Sequence, residues 1–123
     1  MFEIEKNLEF SAAHRLCGYH GDCRELHGHN YQITAVLRAR ELDEIGIAVD
    51  FKKLKAALDE ILLEYDHTFL NELPDFSGRN PTSEVIAMVI YRRLSEKLNS
   101  ENVRVHKIRV HESPSSCATY FEE

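Results

Sequence analysis

From Phe2 to His14 the chain alternates: Phe2, Ile4, Leu8, Phe10, Ala12 and His14 hold even positions, with Lys6 breaking the apolar series, while Glu3, Glu5, Asn7, Glu9 and Ser11 hold the odd ones. A period of two is the mark of a strand with one buried face and one wet face, and so long a run commits the chain to a sheet covered on one side only. After a loop over residues 15–26, which contains Cys17, Gly18, Gly21 and Asp22, the alternation returns. Tyr31, Ile33, Ala35, Leu37 and Ala39 stand against Gln32, Thr34, Arg38 and Arg40. This second strand is expected to run antiparallel to the first.

The period then changes to that of a helix. Asp50 is placed to cap a helix whose apolar positions Phe51, Leu54, Leu58, Ile61, Leu62 and Tyr65 fall three or four apart. Residues 66–78, broken by Pro74 and Gly78, read as a loop. Asn80-Pro81-Thr82-Ser83-Glu84 then puts proline in a first helical turn, with an acid near the positive end of the dipole. Ile86, Ile90, Leu94 and Leu98, supported by Val85 and Val89, form the buried side of that second helix, which runs to about Asn99. Strand formers return from Val103, with a shorter segment from Cys117 to Phe121 after Ser113-Pro114-Ser115-Ser116. Val103 and Val105 are out of phase with Ile108 and Val110, which calls for a bulge or a later strand start. The order β-β-α-α-β-β predicts an α+β fold: a four-stranded antiparallel sheet with two helices on one face.

Composition narrows the function. With 123 residues, 43% hydrophobic content, five Gly and three Pro, the chain is expected to form a single domain over residues 1–123. Fifteen basic residues against 21 acidic ones give a formal charge of −6, which argues against nucleic acid as a partner. No apolar run approaches the ~20 residues that span a bilayer, and Met1-Phe2-Glu3-Ile4-Glu5 has no basic region before an apolar one. No membrane partner and a cytoplasmic location are expected. Three cysteines, Cys17, Cys23 and Cys117, are an odd number at no framework spacing, so each must be packing, metal ligand or nucleophile.

Chemistry concentrates around His27-Gly28-His29. Residues two apart in a strand share a face, and both imidazoles continue the apolar parity of Tyr31, Ile33 and Ala35, as His14 continues that of the first strand. Three inward imidazoles with an open fourth position are the donor set of a catalytic zinc; a structural zinc would be completed by Cys23 or Cys17. Cys23 lies four residues before His27 and beside Arg24, so a metal and a guanidinium would lower its thiol pKa, making it a base or nucleophile. Cys17 and Cys117 read as packing. Asp66-His67 follows the first helix, where a carboxylate beside an imidazole makes a candidate proton shuttle. Glu112 has the inward parity of Ile108 and Val110, and an inward carboxylate needs donors from the protein or a ligand. The row Glu3, Glu5, Glu9 and the cluster Lys52, Lys53, Lys55 are solvated faces.

Taken together, Phe10-Ser11-Ala12-Ala13-His14, Cys23-Arg24-Glu25-Leu26-His27-Gly28-His29, Val49-Asp50-Phe51, Tyr65-Asp66-His67, Asn80-Pro81-Thr82-Ser83-Glu84 and His111-Glu112 resemble the family of 6-pyruvoyl- and 6-carboxy-tetrahydropterin synthases, over nearly the whole chain. The resemblance implies a T-fold subunit assembled into a homo-oligomer, a trimer or a dimer of trimers, with active sites between subunits. It implies one zinc per subunit on His14, His27 and His29, Cys23 as the proton-abstracting thiolate, and Asp66 with His67 as a proton relay. Glu112 would anchor the guanidine-like edge of a pterin, and Thr82 and Ser83 would line its pocket. The implied substrate is 7,8-dihydroneopterin triphosphate. The implied product is 6-carboxy-5,6,7,8-tetrahydropterin, formed with loss of acetaldehyde and triphosphate for 7-deazaguanine (queuosine) synthesis, the compact length and short Cys-to-His loop favouring this branch. The alternatives are the pyruvoyl branch, which eliminates triphosphate, and a non-catalytic zinc-containing module that holds a pterin or purine. A relative that releases a hydroxymethyl product uses Glu in place of Cys23.

Overall fold

The computed structural model describes residues 1–18 and 25–123. Strand β1 spans Phe2–His14 and β2 spans His27–Ala39; helix α1 covers Phe51–Tyr65, and a two-residue strand β3 follows at Thr68–Phe69. Helix α2 is Ser83–Leu98, β4 is Val103–Ser113 and β5 is Ser116–Tyr120. The sheet order is β3-β1-β2-β4-β5, with every pairing antiparallel except β3 against β1. The fold is thus the expected α+β T-fold, with one strand more than expected. The extra strand is β3, which pairs only with Ala12 and Ala13.

β1 and β2 pair along their whole length, from Phe2 opposite Ala39 to His14 opposite His27, so both histidine-bearing ends meet at one end of the sheet. Inward residues Phe10, Tyr31, Ile33, Ala35, Leu37, Ile108 and Val110 meet Leu54, Leu58 and Ile61 of α1 and Ile86, Ile90 and Leu94 of α2 in one core. Each such side chain contributes about 1.5–3 kcal/mol on burial, and together they hold both helices on the same face. The phase slip near Val105 is a bulge: Val36 faces Lys107 while Leu37 faces Val105, which leaves His106 unopposed. A second slip, between His111 and Ser113 against β5, leaves Glu112 unopposed at the histidine end of the sheet.

The helix ends follow capping chemistry. Asp50 Oδ1 accepts from Lys52 N–H at 2.8 Å to start α1. Thr82 Oγ1 accepts from Val85 N–H at 3.1 Å to start α2, so Pro81 lies one residue before the cap and not in the first turn. Asn80-Pro81-Thr82 offers two start signals, and the threonine hydroxyl, which satisfies an otherwise orphan amide, decides between them.

The residues between α1 and α2, read as a loop, form β3 and two single 3₁₀ turns at Leu70–Glu72 and Pro74–Phe76. They are pinned by Arg93 of α2, which donates to Asp75 and to Glu64 of α1, while the Tyr65 hydroxyl donates to Asp75 at 2.6 Å. Replacing Arg93 by alanine should lower stability by about 1–2 kcal/mol, because two charge-assisted hydrogen bonds are lost from a part-buried site. Urea denaturation with an unchanged m-value checks this; an unchanged midpoint would contradict it.

Candidate functional site

Three elements converge at the histidine end of the sheet. His14 closes β1 and is 2% exposed, His29 lies two residues into β2, and Glu112 occupies the second bulge of β4. Glu112 Oε1 sits 3.4 Å from His14 Nε2 and 3.5 Å from His29 Nε2, and the three donor atoms all lie within 4.8 Å of one another. A tetrahedral ion with ligands at about 2.0–2.1 Å separates neighbouring donors by about 3.3 Å, so these spacings fit a shared cation. The third predicted histidine, His27, is exposed, with its ring centroid 6.3 Å from that of His29. Burial lowers the pKa of His29, reinforced by His14 and His27 and opposed by the Glu112 carboxylate. That favours the neutral imidazole a metal requires.

A layer of contacts lies behind these donors. His14 Nδ1 lies 2.9 Å from the Pro81 carbonyl oxygen and 3.1 Å from the Tyr31 hydroxyl. Tyr31 is fully buried, stacks on Phe10 with ring centroids 5.0 Å apart, and meets His29 edge-on at 5.5 Å. Burial, followed by the Glu112 charge, raises its phenol pKa well above the ordinary value. Two asparagines fix the segment that leaves β1. Asn71 accepts from the Arg15 amide at 2.8 Å and donates to its carbonyl at 2.7 Å, and Asn80 does the same for Cys17 at 2.8 and 2.7 Å. Each side-chain amide thereby stands in for a neighbouring strand.

Asp66 and His67 adopt a different setting. Asp66 Oδ1 accepts from the Ser11 amide at 2.9 Å, its Oδ2 lies 2.9 Å from His67 Nδ1, and the His67 amide donates to the Ser11 carbonyl at 2.6 Å. The Ser11 hydrogen bond first, and then the imidazole, holds the Asp66 carboxyl below its ordinary pKa. The His67 side chain is 82% exposed, and its backbone is left-handed at φ 58°, the only positive φ outside glycine among the described residues. Asp66 and His67 are thus paired with each other. The pair hangs from Ser11, which has the opposite parity to His14, and its His67 lines a shallow cleft of about 440 Å³ with Gly28, His29 and Asn30.

A separate cleft of about 400 Å³ brings Ser83 and Glu84, at the start of α2, together with Glu112 and the β5 residues Ser116–Thr119. Ser83 and Glu112 line this one cleft, whereas the Thr82 hydroxyl is used as the α2 cap. Cys117 is not packed: it is an exposed free thiol lining this cleft on the edge strand β5. Cys23 lies outside the described residues. Sequence reading gave no site role to Tyr31, Asn71, Asn80 or Glu84, although Asn80 and Glu84 stand in a segment that carries the family resemblance and Tyr31 shares the parity of His29 two residues away.

An α+β T-fold subunit with a histidine–carboxylate cluster where β1, β2 and β4 meet is the class that fold and site define. Residues 3–123 match the family described as 6-pyruvoyl tetrahydropterin synthase, and the chain belongs to that family. It is 36% identical to the 6-carboxy-5,6,7,8-tetrahydropterin synthase of Synechocystis sp., covering 98% of this chain and 94% of the relative. It is also 36% identical to the protein of the same name from Bacillus subtilis, covering 97% and 84%. Among solved structures, the Caenorhabditis elegans 6-pyruvoyl tetrahydropterin synthase superposes with a TM-score of 0.84 at 26% identity, covering 99% of this chain and 96% of that one. No helix among the described residues is long and apolar enough to cross a membrane.

Proposed function

We propose that this chain is a zinc-dependent lyase that converts 7,8-dihydroneopterin triphosphate to 6-carboxy-5,6,7,8-tetrahydropterin, releasing acetaldehyde and triphosphate, in 7-deazaguanine (queuosine) synthesis in the cytoplasm. The observation that carries this reading is the near full-length match to relatives of that name. The donor set at the end of β1 and β2 supports it. His14, His27 and His29 would hold the zinc, with His27 turning its exposed ring inward. Bound zinc would supply Lewis acidity and a template for the substrate side-chain hydroxyls, so that a proton beside a carbonyl or imine becomes removable.

The remaining chemistry belongs to the chain. Cys23 would act as the base, near the cluster but not ligating, since a base needs a free lone pair when the proton leaves. His67, oriented by Asp66, would move protons on the substrate side chain; its Nδ1 is tied to Asp66, which leaves Nε2 to face the substrate. Glu112, in the cleft with Ser83 and below the threonine-capped start of α2, would accept hydrogen bonds from the guanidine-like edge of the pterin. Zinc would free it for this task by taking its place beside His14 and His29.

A homo-oligomer, a trimer or a pair of trimers with sites between subunits, fits two further observations. β3 covers only Ala12 and Ala13 of β1, and β5 covers β4 only from Ile108 onward, so long stretches of both edges are open among the described residues. His67 and Glu112 also line different clefts of one chain, and a neighbouring subunit would complete each of them.

The test is product analysis of zinc-replete protein with 7,8-dihydroneopterin triphosphate. Carboxy-tetrahydropterin with stoichiometric acetaldehyde is expected. A pyruvoyl product without acetaldehyde would move the chain to the branch of its C. elegans structural neighbour. No turnover by protein with full zinc would favour a pterin- or purine-binding module. Within the same assay, Cys23→Ala should keep its zinc and lose turnover by about 10²–10⁴-fold, the range of a general base.

A further inference from the structure

We propose that Tyr31 is a positioning residue: with the carbonyl of Pro81 it holds His14 in the tautomer that presents a bare Nε2 to the metal. This rests on the zinc reading above and concerns what prepares that site. A carbonyl oxygen only accepts, so the 2.9 Å contact between Pro81 O and His14 Nδ1 requires the proton on Nδ1. A neutral imidazole carries one ring proton, so Nε2 is left with its lone pair. That lone pair points at the cluster, 3.4 Å from a carboxylate oxygen of Glu112. Two acceptors facing each other repel, and zinc taking the carboxylate's place beside Nε2 would remove the repulsion, so this tautomer suits the nitrogen to a cation.

Tyr31 is the second partner of the same nitrogen. Its hydroxyl is 3.1 Å from the same Nδ1 and, with the proton already committed toward Pro81, receives a second share of it. The reverse arrangement, with Tyr31 donating to Nδ1, would move the ring proton to Nε2 and set a bare nitrogen against the Pro81 oxygen at 2.9 Å. That is unfavourable in a site as dry as this one, where Tyr31 is fully buried and His14 is 2% exposed. The geometry resists drift. The tyrosine ring is clamped by Phe10 and sits edge-on to His14 at 5.9 Å and His29 at 5.5 Å, so one side chain fixes the planes of both imidazoles. Pro81 is held by its neighbour Asn80, whose two hydrogen bonds to the Cys17 backbone tie it to the strand end that carries His14.

The experiment uses long-range proton–nitrogen correlation spectra of the metal-free full chain at pH 8, together with zinc affinity measured by competition with a chromophoric chelator. In the native protein His14 should carry its proton on Nδ1 before any metal is added. Tyr31→Phe, which keeps the ring packing, removes one of the two acceptors of the Nδ1 proton; the proton should stay on Nδ1 toward Pro81, but zinc binding should weaken by about tenfold, the lower end for loss of an outer partner. A native His14 protonated on Nε2, or a folded Tyr31→Phe protein that binds zinc within twofold of native, overturns the proposal. If Tyr31→Phe does not fold, 3-fluorotyrosine at position 31, whose hydroxyl is a poorer acceptor, should weaken zinc binding in the same direction, and unchanged affinity overturns the proposal. Failure of the zinc reading looks different: native protein that binds no zinc, whatever tautomer His14 shows.

Discussion

His29→Ala protein is expected to fold normally yet retain no zinc after dialysis and show no turnover. The imidazole is one of the two buried-face nitrogens that share the Glu112 oxygen. Its loss should weaken zinc binding by more than about a hundredfold, beyond the range for removing a mere outer partner of a ligand. Stability should change little, since the side chain is 27% exposed and no hydrogen bond from it to the described residues accompanies its contact with Glu112. His14→Ala should lose zinc equally but also destabilise the fold, because that ring is 2% exposed and bonded to both Pro81 and Tyr31. Metal content by mass spectrometry and melting curves for the two variants check the contrast. A full equivalent of zinc in His29→Ala would remove His29 from the site.

The second large effect separates activity from stability. His67→Gly should cut turnover by about 10²–10⁴-fold, the span of a lost general acid–base group, while raising stability by about 1 kcal/mol. At φ 58° a Cβ is strained and glycine is not. The chain tolerates this conformation because it aims the imidazole at Asp66 and lets the His67 amide reach Ser11. His67→Ala serves as the control, equally inactive but without relief, since it keeps the Cβ. Urea denaturation should rank the glycine variant above native and the alanine variant below glycine. A glycine variant no more stable than the alanine one, or one that turns over normally, would refute this account.

Much of this architecture is legible in the sequence because one-sided burial writes a period. The alternation from Phe2 to His14 gives β1 to the residue, and the parity of His14, His29 and Glu112 places all three on one face. The Val105 phase slip appears as the His106 bulge. What the sequence hides needs tertiary partners. β3 is two residues long, too short for any period, and exists only because β1 offers an edge. The adjacency of Glu112 to His14 depends on the second bulge, where pairing with β5 re-aims a side chain that parity alone could only turn inward. Cys117 has the composition of a packed residue but sits on an edge strand. No local pattern encodes the Pro81 carbonyl against His14, since every residue has a carbonyl.

The clamp made by Asn80 has a chemical lifetime as well as a geometry. Asparagine side chains age when the next residue's backbone nitrogen attacks the amide carbon and closes a succinimide ring. That nitrogen belongs here to Pro81, which has no N–H to lose. The usual deamidation route is closed at the one amide that tethers the end of β1 to the residue facing His14. Asn71, followed by Glu72, lacks this protection. As the protein grows old, the Asn71 clamp on Arg15 is the one that should be edited to aspartate, while the Asn80 clamp on Cys17, next to the proline that faces His14, keeps its register.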